Sequence, residues 1–134
     1  KDGLLQSGFE PQMPTAWLLE GFLFYLPTEQ IEKILEDVSS LSAPGSWLGF
    51  DIINSLVLTH PLTRPWVDMQ AASGAPWIGV MDDPQGFLAE RKWNAALTQA
   101  GQPEANFGRW SLPMIPPTAA AFPHNWYITA WLAP

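Results

Sequence analysis

The sequence predicts an α/β domain built on a parallel βαβ unit and closed by a late strand. Three observations predict it. Thr15 to Leu26 is the longest apolar run, broken by one carboxylate, Glu20, and followed by Pro27. Ile31, Ile34, Leu35, Val38 and Leu41 then recur at the spacing that gives a helix one apolar stripe. Ser46 to Ile53 returns to an apolar run with one acid, Asp51, towards its end. Strand, helix and strand in this order match a βαβ unit of roughly 30 residues or more, with a right-handed crossover.

Each element has its own signal. Lys1 to Gln6 reads as the tail of a helix, stopped by Ser7-Gly8. Phe9 to Pro14 holds two prolines and reads as an extended lead-in. Trp17, Leu18 and Leu19 read as a strand of a parallel sheet, apolar on both faces and therefore expected to be buried on both. Glu20-Gly21 falls at that strand's carboxyl end, where ligands sit in open α/β sheets. The bland alternative is a carboxylate that caps loop N–H groups.

For the long helix, Thr28 is the expected N-cap and Glu29 lies in the first turn, where the dipole favours negative charge. Glu29 and Lys33 stand four residues apart and are expected to pair, the other charges forming a solvated face. Ala43-Pro44-Gly45 ends the helix. The second strand follows, and its Asp51 is expected on the same rim as Glu20. Asn54 to Gly74 reads as helical, broken near His60-Pro61 and Pro65. Ala75 to Asp83 reads as a loop anchored by Trp77 and Ile78. Asp82 or Asp83 before Pro84 is the expected cap of a short helix reaching Arg91. Trp93, Ala95 and Leu97 alternate in a third strand over Lys92 to Leu97. Thr98 to Trp110 is weakly helical, and Leu112 to Pro123 an irregular connection. Asn125 to Leu132 is the last strand, rich in aromatic and β-branched residues.

Composition narrows the function. The 134 residues amount to one domain, long enough to bury a core. Charged residues are 14% and apolar ones 47%, with eight Trp, which leaves little polar surface and hints at a partner face. The net charge of −7 disfavours nucleic acid and anionic membranes. No apolar run approaches the roughly 18 residues of a membrane span, and no signal peptide opens the chain, so a cytoplasmic location is expected. The absence of cysteine excludes disulfides, thiolate nucleophiles and Cys-based metal sites. Only His60 and His124 offer imidazole, and both are expected to be surface or satisfied groups rather than bases.

Pro14 to Pro27, Pro-Thr-Ala-Trp-Leu-Leu-Glu-Gly-Phe-Leu-Phe-Tyr-Leu-Pro, resembles the PTAWLxEGLLxYLP signature of the leucine carboxyl methyltransferase-like family. These are S-adenosylmethionine-dependent O-methyltransferases. Gly8-Phe9-Glu10-Pro11, the turn Leu41 to Ser46 and the closing Trp126 to Ala130 are also similar to bacterial members. The resemblance implies the C-terminal half of a class I (Rossmann-like) methyltransferase sheet: a mixed sheet with an antiparallel last strand and helices on both faces. It also implies that residues 1–134 form a single domain lacking the N-terminal cofactor-binding half. In the family that half carries a glycine-rich turn, G-x-G-x-D-T-R, and the acid for the ribose hydroxyls. No G-x-G follows a strand here, although a backbone that must approach the cofactor closely needs glycine.

Carried over by position, Glu20 matches the family acid at the end of the fourth strand, which lines the cofactor site. It could accept from the cofactor's ammonium, and Gly21 lets the chain pass close by. Tyr25 matches the motif tyrosine and could line the acceptor pocket, or be a core ring with a satisfied hydroxyl. Asp51 and Asn54, at the next strand's end, are weaker pocket candidates. The acceptor is a carboxylate, already ionised near neutrality, or a hydroxyl, which needs a base that does not stand out here. The expected partner is the missing half or a second copy, paired through an exposed sheet edge. The competing expectation is a non-catalytic, Trp-rich binding or scaffold module.

Overall fold

Two serines near the end of the long helix explain much of the packing. In the computed structural model, which describes residues 1–134, the helix α2 spans Thr28–Ser40 and buries Ile31, Leu35 and Val38. Ser39 Oγ donates to Leu35 O at 2.7 Å and accepts from Trp93 Nε1 at 2.9 Å. Ser42 Oγ donates to Val38 O at 2.7 Å and accepts from Trp17 Nε1 at 2.9 Å. Each indole thus packs its ring against the core and finds an acceptor for its N–H. The two hydroxyls tie the end of α2 to the first strand and to Trp93, just before the third.

The other elements follow the predicted order. Helix α1 (Asp2–Gln6) leads into β1 (Ala16–Leu19), and a 3-10 turn, Leu23–Tyr25, joins β1 to α2. Beyond α2 lie β2 (Trp47–Ile53), α3 (Leu56–Thr59), α4 (Arg64–Ala72) and α5 (Pro84–Glu90). The chain ends with β3 (Asn94–Thr98), α6 (Pro103–Asn106) and β4 (Asn125–Trp131). The break between α3 and α4 falls at His60-Pro61, as the proline requires. Asp83 caps α5, its carboxylate accepting from Gly86 N at 2.8 Å.

Two local expectations give way. Pro27, not Thr28, is the N-cap of α2; its carbonyl accepts from Gln30 N and Ile31 N, and Thr28 is already helical. Pro27 at ψ 147° sets the extended entry that a cap needs without a side-chain acceptor. Lys33 bonds Asp37 rather than Glu29, one turn on instead of one turn back, and the ammonium holds the Asp37 carboxyl below its ordinary pKa.

The four strands form one mixed sheet in the order β1-β2-β4-β3. β1 and β2 are parallel, and β4 lies antiparallel between β2 and β3. One face carries the core: Leu48, Phe50, Ile52, Ile128 and Ala130 meet Ile31, Leu35 and Val38 of α2 and Leu88 of α5. The opposite face is covered unequally. α6 and the segment after it border it at the β3 end, and at the carboxyl end of β2 Ile53 is buried against Phe24 and Val57, while the middle and the β1 side stay open. Leu18, Trp47 and Tyr127 are exposed there, Leu18 at 71%. β1 is consequently an edge strand with one half-buried face packed on the core, not the two-sided buried strand its composition predicts. The apolar side chain at Leu18 has no element above it, and nothing pairs with the outer edge.

Candidate functional site

Parallel pairing of β1 with β2 brings the carboxyl ends of both strands together, and with them the two acids. Leu19 pairs with Phe50, so Glu20-Gly21 leaves β1 beside Asp51. The Asp51 carboxylate accepts from Gly21 N at 2.7 Å. Gly21 has φ +60°, the left-handed region that a side chain disfavours. This turn, held by a charged acceptor, sends Glu20 to the open face and the chain onward to the 3-10 turn. Asp51 is therefore a positioning group for the turn, with one carboxylate oxygen engaged in it.

Glu20 is exposed and lines an open recess of about 640 Å³, whose floor is Thr98, Tyr127 and Thr129 of β3 and β4. Its far wall is the segment from Gly101 to Trp110. Neither wall was singled out from the sequence, where Thr98 to Trp110 reads only as a weak helix. Register alone could have found part of it, since Asp51, Tyr127 and Thr98 sit side by side on one face.

The remaining sequence candidates lie elsewhere. Tyr25 is half-buried, its ring 4.9 Å from Phe24 and its hydroxyl 3.4 Å from Gln70 Nε2 of α4. Asn54 is buried at the end of β2 and is used by the backbone. Its Nδ2 donates to Phe122 O, and its Oδ1 accepts from His124 N, both at 3.0 Å. It also borders a smaller recess of about 320 Å³ with Asp82, His124 and Trp126. His124 is buried, stacked on Trp126, with Nδ1 at 2.8 Å from Gln99 Oε1 and Nε2 at 3.1 Å from Ala119 O. Those contacts fasten the irregular 111–123 connection, and Gln99 Nε2 adds a bond to Ile115 O. His60 Nδ1 accepts from Leu62 N at 3.2 Å, and its ring lies 5.7 Å from that of Phe122. Neither imidazole lines the recess at Glu20.

Residues 1–39, which contain the strand, the Glu20 turn and most of α2, match the family described as leucine carboxyl methyltransferase. A Frankia alni protein named "Putative S-adenosyl-L-methionine-dependent methyltransferase" is 34% identical over 117 residues, 86% of this chain and 38% of its own length. A Streptomyces avermitilis protein of the same description is 36% identical over 108 residues, 79% of this chain and 37% of its own. The chain spans little more than a third of the curated relatives it matches. A methyltransferase-titled crystal structure from Thermobifida fusca shares the fold at TM-score 0.63 and 12% identity, covering 97% of this chain and 47% of that one. No helix is long and apolar enough to cross a membrane. Its opening third thus matches the leucine carboxyl methyltransferase family, and most of its length is similar to proteins named as S-adenosyl-L-methionine-dependent methyltransferases.

Proposed function

We propose that this chain is the acceptor-side, C-terminal portion of an S-adenosylmethionine-dependent O-methyltransferase, and that it is inactive until joined by a cofactor-binding half. The observation that carries this is the Glu20 turn: a free carboxylate at the carboxyl end of a parallel strand, held by Asp51, facing an open recess. The residues present fit one end of the cofactor. Glu20 would accept from its ammonium group, and Gly21 would let the backbone pass near it. When bound, the cofactor supplies a methyl group on a sulfonium sulfur. This chain's task is to hold an acceptor oxygen in line with that methyl, where positioning supplies much of the rate. A carboxylate acceptor suits the recess better than a hydroxyl. Neither His60 nor His124 lines it, so no imidazole stands ready as a base.

The alternative, an aromatic binding platform, is disfavoured by where the exposed indoles lie. Trp47, Trp66 and Trp110 are the exposed tryptophans, on β2, on α4 and after α6. The competing scaffold reading rests on Trp47 and Trp131, whose rings lie 5.9 Å apart on the open sheet face. Calorimetric titration of S-adenosylmethionine distinguishes the two. Binding is expected only when the chain is joined to the N-terminal part of a relative such as the Frankia alni protein. Binding by neither form moves the assignment to the scaffold.

A further inference from the structure

We propose that the smaller recess, off the carboxyl end of β2, binds a primary ammonium group carried on a compact apolar body. It shares no lining residue with the recess beside Glu20. The end of β2, the approach to α5, the 111–123 connection and the start of β4 enclose it. Open α/β sheets place ligands at such strand ends.

Three oxygens in this recess are free. Two of its polar residues are buried and fully used. Asn54 bonds Phe122 O and His124 N, and both ring nitrogens of His124 meet oxygens, on Gln99 and Ala119. Asp82 is engaged at one oxygen only. Its Oδ1 accepts from Ser55 N at 2.7 Å, which orients the carboxylate and leaves Oδ2 open. The hydroxyls of Ser55 and Thr118 make no hydrogen bond within the chain. No Lys or Arg lines the recess, and Asp82 joins none of the chain's ion pairs.

The ligand class follows from this lining. An ammonium group offers three donors and no acceptor. That matches one carboxylate oxygen and two hydroxyl oxygens, and its charge answers the unpaired carboxylate with the stronger, charge-assisted kind of hydrogen bond. An anion meets repulsion from Asp82. A zwitterionic amino acid brings its own carboxylate to the same place, so the amino-acid end of S-adenosylmethionine is a poor match. Leu56, Pro117 and Trp126 supply apolar surface for the body of the ligand, and an indole also attracts a cation. A volume of about 320 Å³ holds one small molecule. Binding here does not depend on methyl transfer.

The test uses the nitrogen-15-labelled chain and follows the Ser55 backbone N–H and the Trp126 Nε1–H resonances. Titration with phenethylamine, protonated at pH 7, is expected to shift both saturably. The neutral isostere 2-phenylethanol, L-phenylalanine and potassium chloride are expected to shift neither. Asp82→Asn keeps an acceptor for Ser55 N and removes the charge, and it is expected to weaken phenethylamine binding about tenfold or more. Glu32→Gln, an exposed acid on α2, is expected to leave the affinity unchanged. The spectrum itself reports that each variant is folded. No saturable shift, an equal response to the alcohol, the amino acid or potassium, an unchanged affinity in Asp82→Asn, or an equal loss in Glu32→Gln would each overturn the assignment. The titration contains no S-adenosylmethionine, so this reading and the methyl-donor reading fail separately.

Discussion

Gly79 shows how one residue holds the motif in place. It is buried, and its N–H donates to Phe24 O at 3.0 Å. A Cβ there would lie 2.4 Å from Leu26 O and 2.6 Å from Ile31 Cδ1. Backbone on one side and the start of α2 on the other leave no room to give. Gly79→Ala is therefore expected to destabilise the chain by about 1–3 kcal/mol, the usual cost of overpacking, read as a lower urea midpoint at unchanged m. An unchanged midpoint would show that the 3-10 turn yields freely. Glu20 and Asp51 were legible as a pair on one rim, because two apolar runs each ended in a single acid. Gly79 was not legible: the groups that crowd it, on Leu23, Leu26 and Ile31, lie dozens of residues away, and nothing in the local pattern signals the contact.

At the scale of elements, hydrophobic period predicted type well and boundaries less well. The stripe from Ile31 to Leu41 became α2, and the alternation around Ala95 became β3, shifted to Asn94–Thr98. Trp93 drops out of that strand because Lys92, at φ 66°, turns the chain just before it. What period could not reveal is the service Ser39 performs. A serine late in a helix reads as a neutral surface residue, yet here it is the partner of an indole that is 3% exposed. Ser39→Ala would leave the Trp93 N–H buried without an acceptor, and α2 would lose its polar tie to the residue that leads into β3. The expected cost is about 1–3 kcal/mol, against a few tenths for an exposed serine such as Ser73 on α4's end. Equilibrium urea unfolding of the two alanine variants side by side checks this. Equal effects would mean that water reaches the indole.

For the molecule as a whole, the unequal cover of the sheet is the dominant fact. Composition hints at a partner surface, and the uncovered face is where we propose that a partner docks. β1 presents an unpaired outer edge, and Leu18, Trp47 and Tyr127 stand open on the face beside it. Unpaired edges invite strand addition, and apolar faces of this kind mark interfaces. Residue chemistry could not reveal that β1 is an edge, because a strand apolar on both sides looks the same whether or not its neighbour is part of the chain. The partner proposed here is the cofactor-binding half, with a second copy as substitute in its absence. Leu18→Glu separates the interface from the fold. The side chain is 71% exposed, so the substitution should change the stability of the isolated chain by no more than about 0.5 kcal/mol. It should nevertheless abolish both self-association and capture of the N-terminal part of a relative, because a carboxylate would be forced into a dry interface. Sedimentation equilibrium of the two chains, alone and with that added half, reads both effects. A native chain that stays monomeric at high concentration and ignores the added half would refute the pairing. A Leu18→Glu chain that still associates would move the contact away from β1.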